Sequence, residues 1–237
     1  DVTVNDICVT GNATSALIST VGDRTILNRV TLYSNSGAAG VGMRFNDAST
    51  DGQLNDSTIY DIQDDGVGIS VAATGTFTID NLTCYEIDQA GGTGDCIQVY
   101  DSAQASLIVD GGSYTKDTSF KQAIRFFSSG SLTIRGNPRI DIQGTGAQGI
   151  SMEGTGTFTM TSGYITGTTG APLIFTHTSG LTNISGTILV GGDYGIWSSH
   201  ATGTLNAFNN TIHEQAIAGV YHTTDGAGGS LDAKNNY

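Results

Sequence analysis

The stretch 130–134 reads GSLTI, and the stretch 156–160 reads GTFTM. Each begins with glycine and then places an apolar residue at every second position, which is the periodicity of a β-strand. The same pattern starts again with a glycine or alanine at Gly75, Ala105, Gly180, Gly203 and Gly229, and earlier units fit from Gly22 and Thr50. A unit of ~25 residues is therefore repeated over nearly the whole sequence, which indicates a repeat architecture.

Each repeat contains two further short segments with strand periodicity. The second segment is exemplified by Thr58–Tyr60 and Thr83–Tyr85, and the third by Gly149–Met152 and Gly195–Ser198. No segment has apolar residues at helical spacing over the length of a helix. Three short strands cannot bury their apolar sides alone, whereas stacked units form three parallel sheets around a continuous core.

On these repeated strands the chain resembles a right-handed parallel β-helix of the pectate-lyase-like superfamily, and it is similar to extracellular and phage β-helix repeat proteins. The resemblance implies an all-β, single-stranded parallel β-helix of about nine coils with three strands each. We expect residues 1–237 to form one domain without its own end caps, because strand patterns begin at Val2 and start again at Leu231. A β-sandwich would not need matched columns every ~25 residues, and the hexapeptide repeat of a left-handed β-helix is missing.

The alternation assigns each strand residue to the core or to the surface. Stacked strands lie ~4.8 Å apart, so residues at the same place in successive repeats form columns. The predicted inward columns are Leu32, Ile59, Cys84, Tyr114, Ile140, Ile165, Ile188 and Ile212 on the second sheet, and Met43, Ile69, Ile97, Ile124, Ile150, Leu173, Ile196 and Val220 on the third. The predicted outward column of the third sheet is Arg44, Ser70, Gln98, Arg125, Ser151, Ile174, Trp197 and Tyr221.

The composition excludes several classes of protein. With 34 glycines but 2 prolines the chain is neither collagen nor proline-rich disorder, and 38% hydrophobic residues allow a sizeable core. A net charge of -13 repels phosphate backbones, so no nucleic acid partner is expected. No run of ~18 apolar residues and no basic region before an apolar run occurs, so we expect neither a membrane span nor a signal peptide. Only 13% of residues are charged, which indicates a protein of the extracellular space or of a cell or virion surface.

The cysteines and histidines lack the spacing of metal ligands. Cys8, Cys84 and Cys96 are interpreted as small core residues, of which at least one is unpaired because their number is odd. The histidines are His177, His200, His213 and His222. We therefore expect no metal centre at these residues and no cofactor.

Aromatic residues end the predicted outward column of the third sheet. Trp197, the single tryptophan, and Tyr221 one coil later form a flat apolar pair of the kind that stacks on sugar rings. The alternative is that they pack against a neighbouring loop or subunit. On the second sheet Tyr33, Tyr60 and Tyr85 form a column that we interpret as a stabilising stack.

The densest group of carboxylates is a candidate catalytic site. Asp64 and Asp65 precede Gly66-Val67-Gly68-Ile69, and Asp95 stands before Cys96 in the next coil. This segment resembles the polygalacturonases, β-helix hydrolases in which an Asp pair precedes a third-strand segment, and the resemblance implies that Asp64, Asp65 and Asp95 are catalytic. The Gly-His-Gly and Arg-Ile-Lys segments of that family are missing here. A surface turn is the alternative interpretation, and the carboxylates could also bind calcium.

Arg125 and Glu153 are candidate binding residues on adjacent coils. Together with Lys121 and Gln98 they form a composite site that is similar in residue types to pectate and alginate lyases, which neutralise a uronate and abstract a proton with a basic side chain. A strongly acidic protein is poorly suited to a polyanion unless the local field inverts, whereas neutral sugars impose no such demand.

These observations favour an extracellular β-helix surface module of the adhesin, fibre, filament or spike type, which presents its side faces to carbohydrate or to other subunits. A polysaccharide lyase, glycoside hydrolase or phage depolymerase is the alternative, and the missing catalytic set counts against it. The expected partners are a polysaccharide or cell-surface glycan and, through the ends with Val4, Cys8, Leu231 and Ala233, further copies of the chain. Ice binding by Thr25, Thr78, Thr133 and Thr159 is a third interpretation, but Gln53, Ile108, Asn183 and Asn206 interrupt that column.

Overall fold

The computed structural model describes residues 1–22, 24–37, 40–46, 49–70, 72–87, 94–100, 104–117, 121–199, 202–223 and 230–237. Gly229 and His200 lie outside these described residues. Within them the chain is all β, without a helix. No helix in this part is long and apolar enough to cross a membrane.

The strands are short and follow one another in threes. In chain order they are β1 (Val2–Asn5), β2 (Cys8–Gly11), β3 (Ala16–Thr20), β4 (Arg24–Asn28), β5 (Thr31–Asn35), β6 (Val41–Phe45), β7 (Asp51–Asn55), β8 (Thr58–Ile62), β9 (Val67–Ile69), β10 (Thr74–Asp80), β11 (Thr83–Ile87), β12 (Ile97–Val99), β13 (Gln104–Asp110), β14 (Ser113–Lys116), β15 (Gln122–Phe126), β16 (Ser131–Arg135), β17 (Arg139–Ile142), β18 (Gln148–Met152), β19 (Thr157–Met160), β20 (Gly163–Gly167), β21 (Pro172–Thr176), β22 (Leu181–Ser185), β23 (Thr187–Gly191), β24 (Tyr194–Ser198), β25 (Thr204–Phe208), β26 (Thr211–His213), β27 (Ala218–His222) and β28 (Ser230–Lys234).

Every third strand belongs to the same sheet, and all the pairings are parallel. The first sheet runs from β1 through β4 to β28, the second from β2 through β5 to β26, and the third from β3 through β6 to β27. The predicted stack of three-stranded coils is therefore confirmed. In the first sheet the buried column Phe77, Leu107, Leu132 and Phe158 shows how the repeated apolar positions fill the core.

An Asp or Asn recurs at the corner where the chain passes from the first sheet to the second. Asp56, Asn81 and Asn209 follow a strand of the first sheet and have φ angles of 48°, 51° and 56°. Short polar side chains tolerate this left-handed region better than other non-glycine residues. The chain therefore turns within two or three residues into the next strand.

The inward columns are confirmed with three errors of register. Ile188 is 40% exposed, and Leu189 takes its place between Ile165 and Ile212. The reason is that Thr187 turns inward and donates from Oγ1 to Asn210 Oδ1 at 2.7 Å, which directs Ile188 outward.

In the third sheet both errors exchange one buried residue for another. Val67, not Ile69, pairs with Met43 and Ile97, and Ile174, not Leu173, pairs with Ile150 and Ile196. Ile69 and Leu173 are nevertheless buried.

The outward columns change accordingly. In the third sheet Gly68 replaces Ser70 and Phe175 replaces Ile174. Ser151 faces outward as expected but is fully buried. The side chain of Glu153 covers it and accepts a hydrogen bond from Ser151 Oγ at 2.7 Å. In the first sheet Ile26 pairs with Gln53 in the position assigned to Thr25, which weakens the threonine column further.

A disulfide joins the second and third sheets at their common corner. In most coils this corner holds glycine on the third-sheet side, because a Cβ at Gly149 would lie 2.9 Å from Ile165 Cγ2. In one coil Cys84 replaces the isoleucine and Cys96 replaces the glycine, and the two are bonded. Both are buried as predicted, whereas Cys8 is exposed and free, so its assignment to the core was wrong.

Candidate functional site

The outer surface of the third sheet, here called the lateral face, collects most of the candidate residues in two adjacent columns. Strand register places Arg44, Gly68, Gln98, Arg125, Ser151, Phe175, Trp197 and Tyr221 in the first column. Backbone hydrogen bonds just beyond the strands place Tyr100, Phe127, Glu153, His177, Ser199 and Thr223 in the second. The face has a polar end at β6–β12 and an aromatic end at β21–β27, and β15 and β18 lie between them.

The aromatic end is a cluster of five contacting rings, Phe175, His177, Tyr194, Trp197 and Tyr221. Trp197 lies at its centre, with ring centroids 5.5 Å from Phe175, 5.2 Å from Tyr194 and 6.1 Å from Tyr221. Tyr194 also stacks on Tyr221 at 5.2 Å, and His177 lies parallel to Phe175 at 6.4 Å. The predicted Trp197–Tyr221 pair is therefore part of a larger platform.

Polar groups border this platform. Trp197 Nε1 donates to Thr223 Oγ1 at 3.4 Å, and His177 Nδ1 lies 2.9 Å from Ser199 Oγ. Tyr221 is 41% exposed, and Trp197 and Phe175 are partly exposed. Apolar ring faces beside hydroxyl and imidazole groups suit a ligand that is itself apolar on one side and polar at its edges.

Asp65 lies under the polar end and is 1% exposed. Its carboxyl accepts the Asp95 N–H at 2.9 Å and the Tyr100 hydroxyl at 2.5 Å. With the Gln98 amide oriented so that its nitrogen donates, that nitrogen lies 2.9 Å from each carboxyl oxygen. Burial raises the pKa of Asp65 to about 7, and the charge of Asp64 also raises it.

Asp95 occupies the equivalent place one coil further on. Its Oδ1 accepts the Gln122 N–H at 2.8 Å, whereas its buried Oδ2 has no hydrogen-bond partner among the described residues. The pKa of Asp95 is raised to about 8, mainly by burial and also by the charge of Asp65. The charges of Arg125 and Lys116 act in the opposite direction and lower it. The structure thus brings Asp65 and Asp95 together, but both lie below the surface, and Asp64 beside them is half-buried.

The other predicted binding residues lie between the two ends. Arg125 Nε is 3.5 Å from Glu153 Oε1, and the Arg125 guanidinium lies 4.3 Å from the centroid of Phe127. Arg44 is placed in the same way beside Tyr100, with its guanidinium carbon 5.7 Å from the ring centroid. Burial and Asp65 raise the pKa of Tyr100 above its usual range, so its hydroxyl remains a donor.

Other candidates gave simpler results. Tyr33, Tyr60 and Tyr85 are stacked with centroids 5.3 and 5.0 Å apart, as predicted for a stabilising column. In the described ranges no group of three or more His, Cys, Asp or Glu residues could hold a metal ion. Calcium binding at the Asp cluster, which can also use backbone and amide oxygens, stays a prediction.

Sequence reasoning missed Phe175, Tyr194, Tyr100 and Phe127. Phe175 was missed because three apolar residues follow one another before Thr176, so alternation alone does not decide which of them faces outward. Tyr100 and Phe127 lie one residue beyond their strands, where alternation no longer predicts direction. The sequence did hold a signal for these two residues, because Tyr100 and Phe127 each follow the last buried residue of a third-sheet strand, at the same position of the repeat.

Comparison with known protein families gives one match. The family described as right handed beta helix region matches residues 67–237. The chain therefore belongs to the right-handed β-helix family. Comparison with curated proteins gave no match, and neither did comparison with solved structures.

Proposed function

We propose that this β-helix is an extracellular surface module, of the adhesin, fibre, filament or spike type, that binds a polysaccharide or cell-surface glycan on its lateral face. The aromatic cluster carries the proposal. Sugar rings have an apolar C–H side that packs on aromatic faces, and their hydroxyl groups require donors and acceptors at the edge. Trp197 and Tyr221 supply the first requirement, and Thr223 and Ser199 supply the second.

The disulfide between Cys84 and Cys96 supports an extracellular location. Disulfides persist in oxidising environments and are rare in reducing compartments. The small charged fraction, 13%, agrees with a surface built from threonine, serine and asparagine. Location outside the cell or on a cell or virion surface is therefore part of the proposal.

The charge balance favours a neutral glycan. The net charge of -13 opposes polyanions at long range. On the lateral face Arg125 is already paired with Glu153, so this arginine adds no unbalanced positive charge.

The test is the substitution Trp197→Ala with binding measured on a glycan microarray. An aromatic stack contributes on the order of 1 kcal/mol, so the signal should fall at least a few fold. Tyr164→Ala is the matched control, since Tyr164 is a half-buried outward aromatic of the second sheet. An unchanged signal for Trp197→Ala, or an equal loss for Tyr164→Ala, would contradict the assignment of the site.

A polysaccharide lyase, glycoside hydrolase or phage depolymerase is the second candidate, favoured by the raised pKa values of Asp65 and Asp95. A carboxyl that keeps its proton near neutral pH can serve as a general acid. Asp64→Asn, Asp65→Asn and Asp95→Asn should then abolish the release of reducing ends or unsaturated products from a bound polysaccharide, with and without calcium. A wild-type protein that binds a polysaccharide without releasing products would leave only the binding function.

Self-association through the ends of the solenoid stays a prediction. The observation that bears on it is an open hollow of about 470 Å³ beside β1, where the apolar side chains of Val2, Val4, Ile7, Leu17 and Leu27 lie beside hydroxyl residues such as Thr20 and Thr25. Such a surface buries apolar area when another coil stacks on it. Analytical ultracentrifugation of the 237-residue chain should show species larger than a monomer, and Val4→Asp should abolish them.

A further inference from the structure

Two arginine–aromatic pairs continue the lateral face beyond the aromatic cluster. They are Arg44 with Tyr100 and Arg125 with Phe127. We propose that these pairs form a second set of glycan contacts, so that the face binds one linear neutral polysaccharide laid along the axis of the solenoid. This inference rests on the proposed glycan binding at the aromatic cluster and extends it.

The two columns make the surface continuous. Tyr100 follows β12 and Tyr221 lies on β27, which is five strand spacings away in the same sheet. At ~4.8 Å per spacing the contacts extend over roughly 24 Å. A single sugar ring cannot cover this distance, whereas an extended chain of sugars along the axis does.

The residues between the two sets are small or hydrogen-bonding and leave a level floor. Ser151 lies between Arg125 and Phe175 in the first column, and Glu153 lies between Phe127 and His177 in the second. Ser151 is fully buried and Glu153 is partly exposed, so neither rises as a barrier between the sets. The Glu153 carboxylate is an acceptor for sugar hydroxyls at the centre of the face.

The arginine pairs are already ordered for binding. A guanidinium held over an aromatic ring keeps its fork of N–H donors in a fixed plane, so less side-chain freedom is lost when it binds. Arg44 Nη2 also lies 3.5 Å from the Tyr100 hydroxyl, and Arg125 Nε lies 3.5 Å from Glu153 Oε1, so both guanidinium groups are held in place on the face.

The experiment measures how affinity depends on chain length. The probe is a microarray of neutral β-linked glucan, mannan, xylan and galactan oligosaccharides and of acidic uronate oligosaccharides, each printed from disaccharide to octasaccharide. For a backbone that binds, the wild type should gain roughly tenfold or more in affinity between short and long chains. Phe127→Ala and Tyr100→Ala should remove most of that gain and leave binding of the short chains unchanged, whereas Trp197→Ala should weaken both.

Two controls separate lost contacts from lost structure. Tyr100→Phe keeps the ring but removes the hydroxyl that donates to Asp65, so it should keep the gain with length. Tyr164→Ala on the second sheet should behave as wild type.

Three outcomes would overturn the inference. Affinity independent of chain length would do so, and so would Phe127→Ala and Tyr100→Ala proteins that bind long chains as tightly as wild type. A long-chain gain confined to acidic oligosaccharides would refute the neutral class. If no glycan on the array binds, or if Trp197→Ala binds as wild type does, the proposed function itself fails, which is a different result.

Discussion

The polar end and the aromatic end of the lateral face lie on one sheet but place polar groups at different depths. At the polar end Asp65 and Asp95 are buried below the strands and are held by the N–H groups of the next coil. At the aromatic end the polar groups His177 and Thr223 lie at the surface beside the rings. One uniform scaffold therefore supports two kinds of surface. The stability of the polar end depends on the protonation of Asp65 and Asp95, whereas the aromatic end is held together by contacts between rings.

The largest expected effect tests whether both ends depend on one core. Ile150 lies on β18, between the two ends, and is fully buried. Ile150→Asp should abolish the folded state, because an unpaired buried carboxylate costs several kcal/mol, about the whole margin of a typical domain. Thermal unfolding followed by circular dichroism measures this. Thr133→Asp on the outer side of β16 is the control, since Ser151 is covered by Glu153 and is unsuitable.

If Ile150→Asp unfolds with the same midpoint as Thr133→Asp, the inward assignment is wrong. If it leaves one end of the face structured, the two ends do not share a core. The two ends would then be independent folding units.

The second effect should be confined to the polar end and concerns pH. In the folded state the pKa values of Asp65 and Asp95 are raised to about 7 and about 8 by burial. Below about pH 4 these carboxyls are protonated in the folded and in the unfolded state, so their raised pKa values do not change the free energy of unfolding. Above about pH 8 they are ionised in both states, and the full loss of stability is present. The free energy of unfolding should therefore fall by up to a few kcal/mol as the pH rises between these limits.

Asp95→Asn removes one ionisation while the amide oxygen can still accept the Gln122 N–H. Denaturant unfolding at about pH 5 and about pH 9 should show that this variant is more stable than wild type at the higher pH, with a smaller difference between the two. Trp197→Ala, at the aromatic end, should keep the wild-type difference. A wild type that is at least as stable at about pH 9 as at about pH 5 would contradict the proposed state of these carboxyls.

The third effect tests the support beneath the polar end. The Cys84–Cys96 bond closes a loop with a sequence separation of 12 residues, so its loss should cost about 2–3 kcal/mol. Cys84→Ala/Cys96→Ala should lower the midpoint of denaturant unfolding, and Cys8→Ala should not. A double variant as stable as wild type would show that the corner is held by packing alone.

The smallest effect lies where the two ends meet. Glu153→Gln removes the charge opposite Arg125, and both side chains are about a quarter exposed, so stability should change by less than about 1 kcal/mol. Glycan affinity should change about twofold, since an amide oxygen remains as acceptor. Isothermal titration calorimetry measures this change, and a loss as large as that of Trp197→Ala would move the centre of the site toward Glu153.

The repeat was sufficient to predict the fold and the character of most columns. Wherever a single apolar residue lies between polar ones, as at Ile140 and Ile150, the direction of the side chain was predicted correctly. Where apolar residues adjoin, as at Ile188 and Leu189, alternation permits two registers, and a buried hydrogen bond at Thr187 decides between them. Such a tertiary contact has no signal in one strand alone.

The site was less predictable than the fold. Trp197 and Tyr221 could be paired because they occupy the same place in successive repeats, but Tyr194 enters the cluster from the beginning of its strand. The carboxyls of Asp65 and Asp95 were recognised as a group, yet their burial depends on Tyr100 and Gln98 above them. The disulfide likewise depends on how two sheets meet, which sequence spacing does not give.

The fluorescence of Trp197 reports directly on glycan binding at the aromatic cluster, because Trp197 is the only tryptophan in the sequence and lies at the centre of that cluster. The measurement is a titration of the wild-type protein with the longest oligosaccharide that binds on the microarray, followed by tryptophan emission and, in parallel, by calorimetry. We predict a saturable shift of the emission to shorter wavelength, with the same Kd as the calorimetric titration, because the sugar displaces water from the ring. Binding heat with unchanged Trp197 emission would show that the glycan binds away from the aromatic cluster.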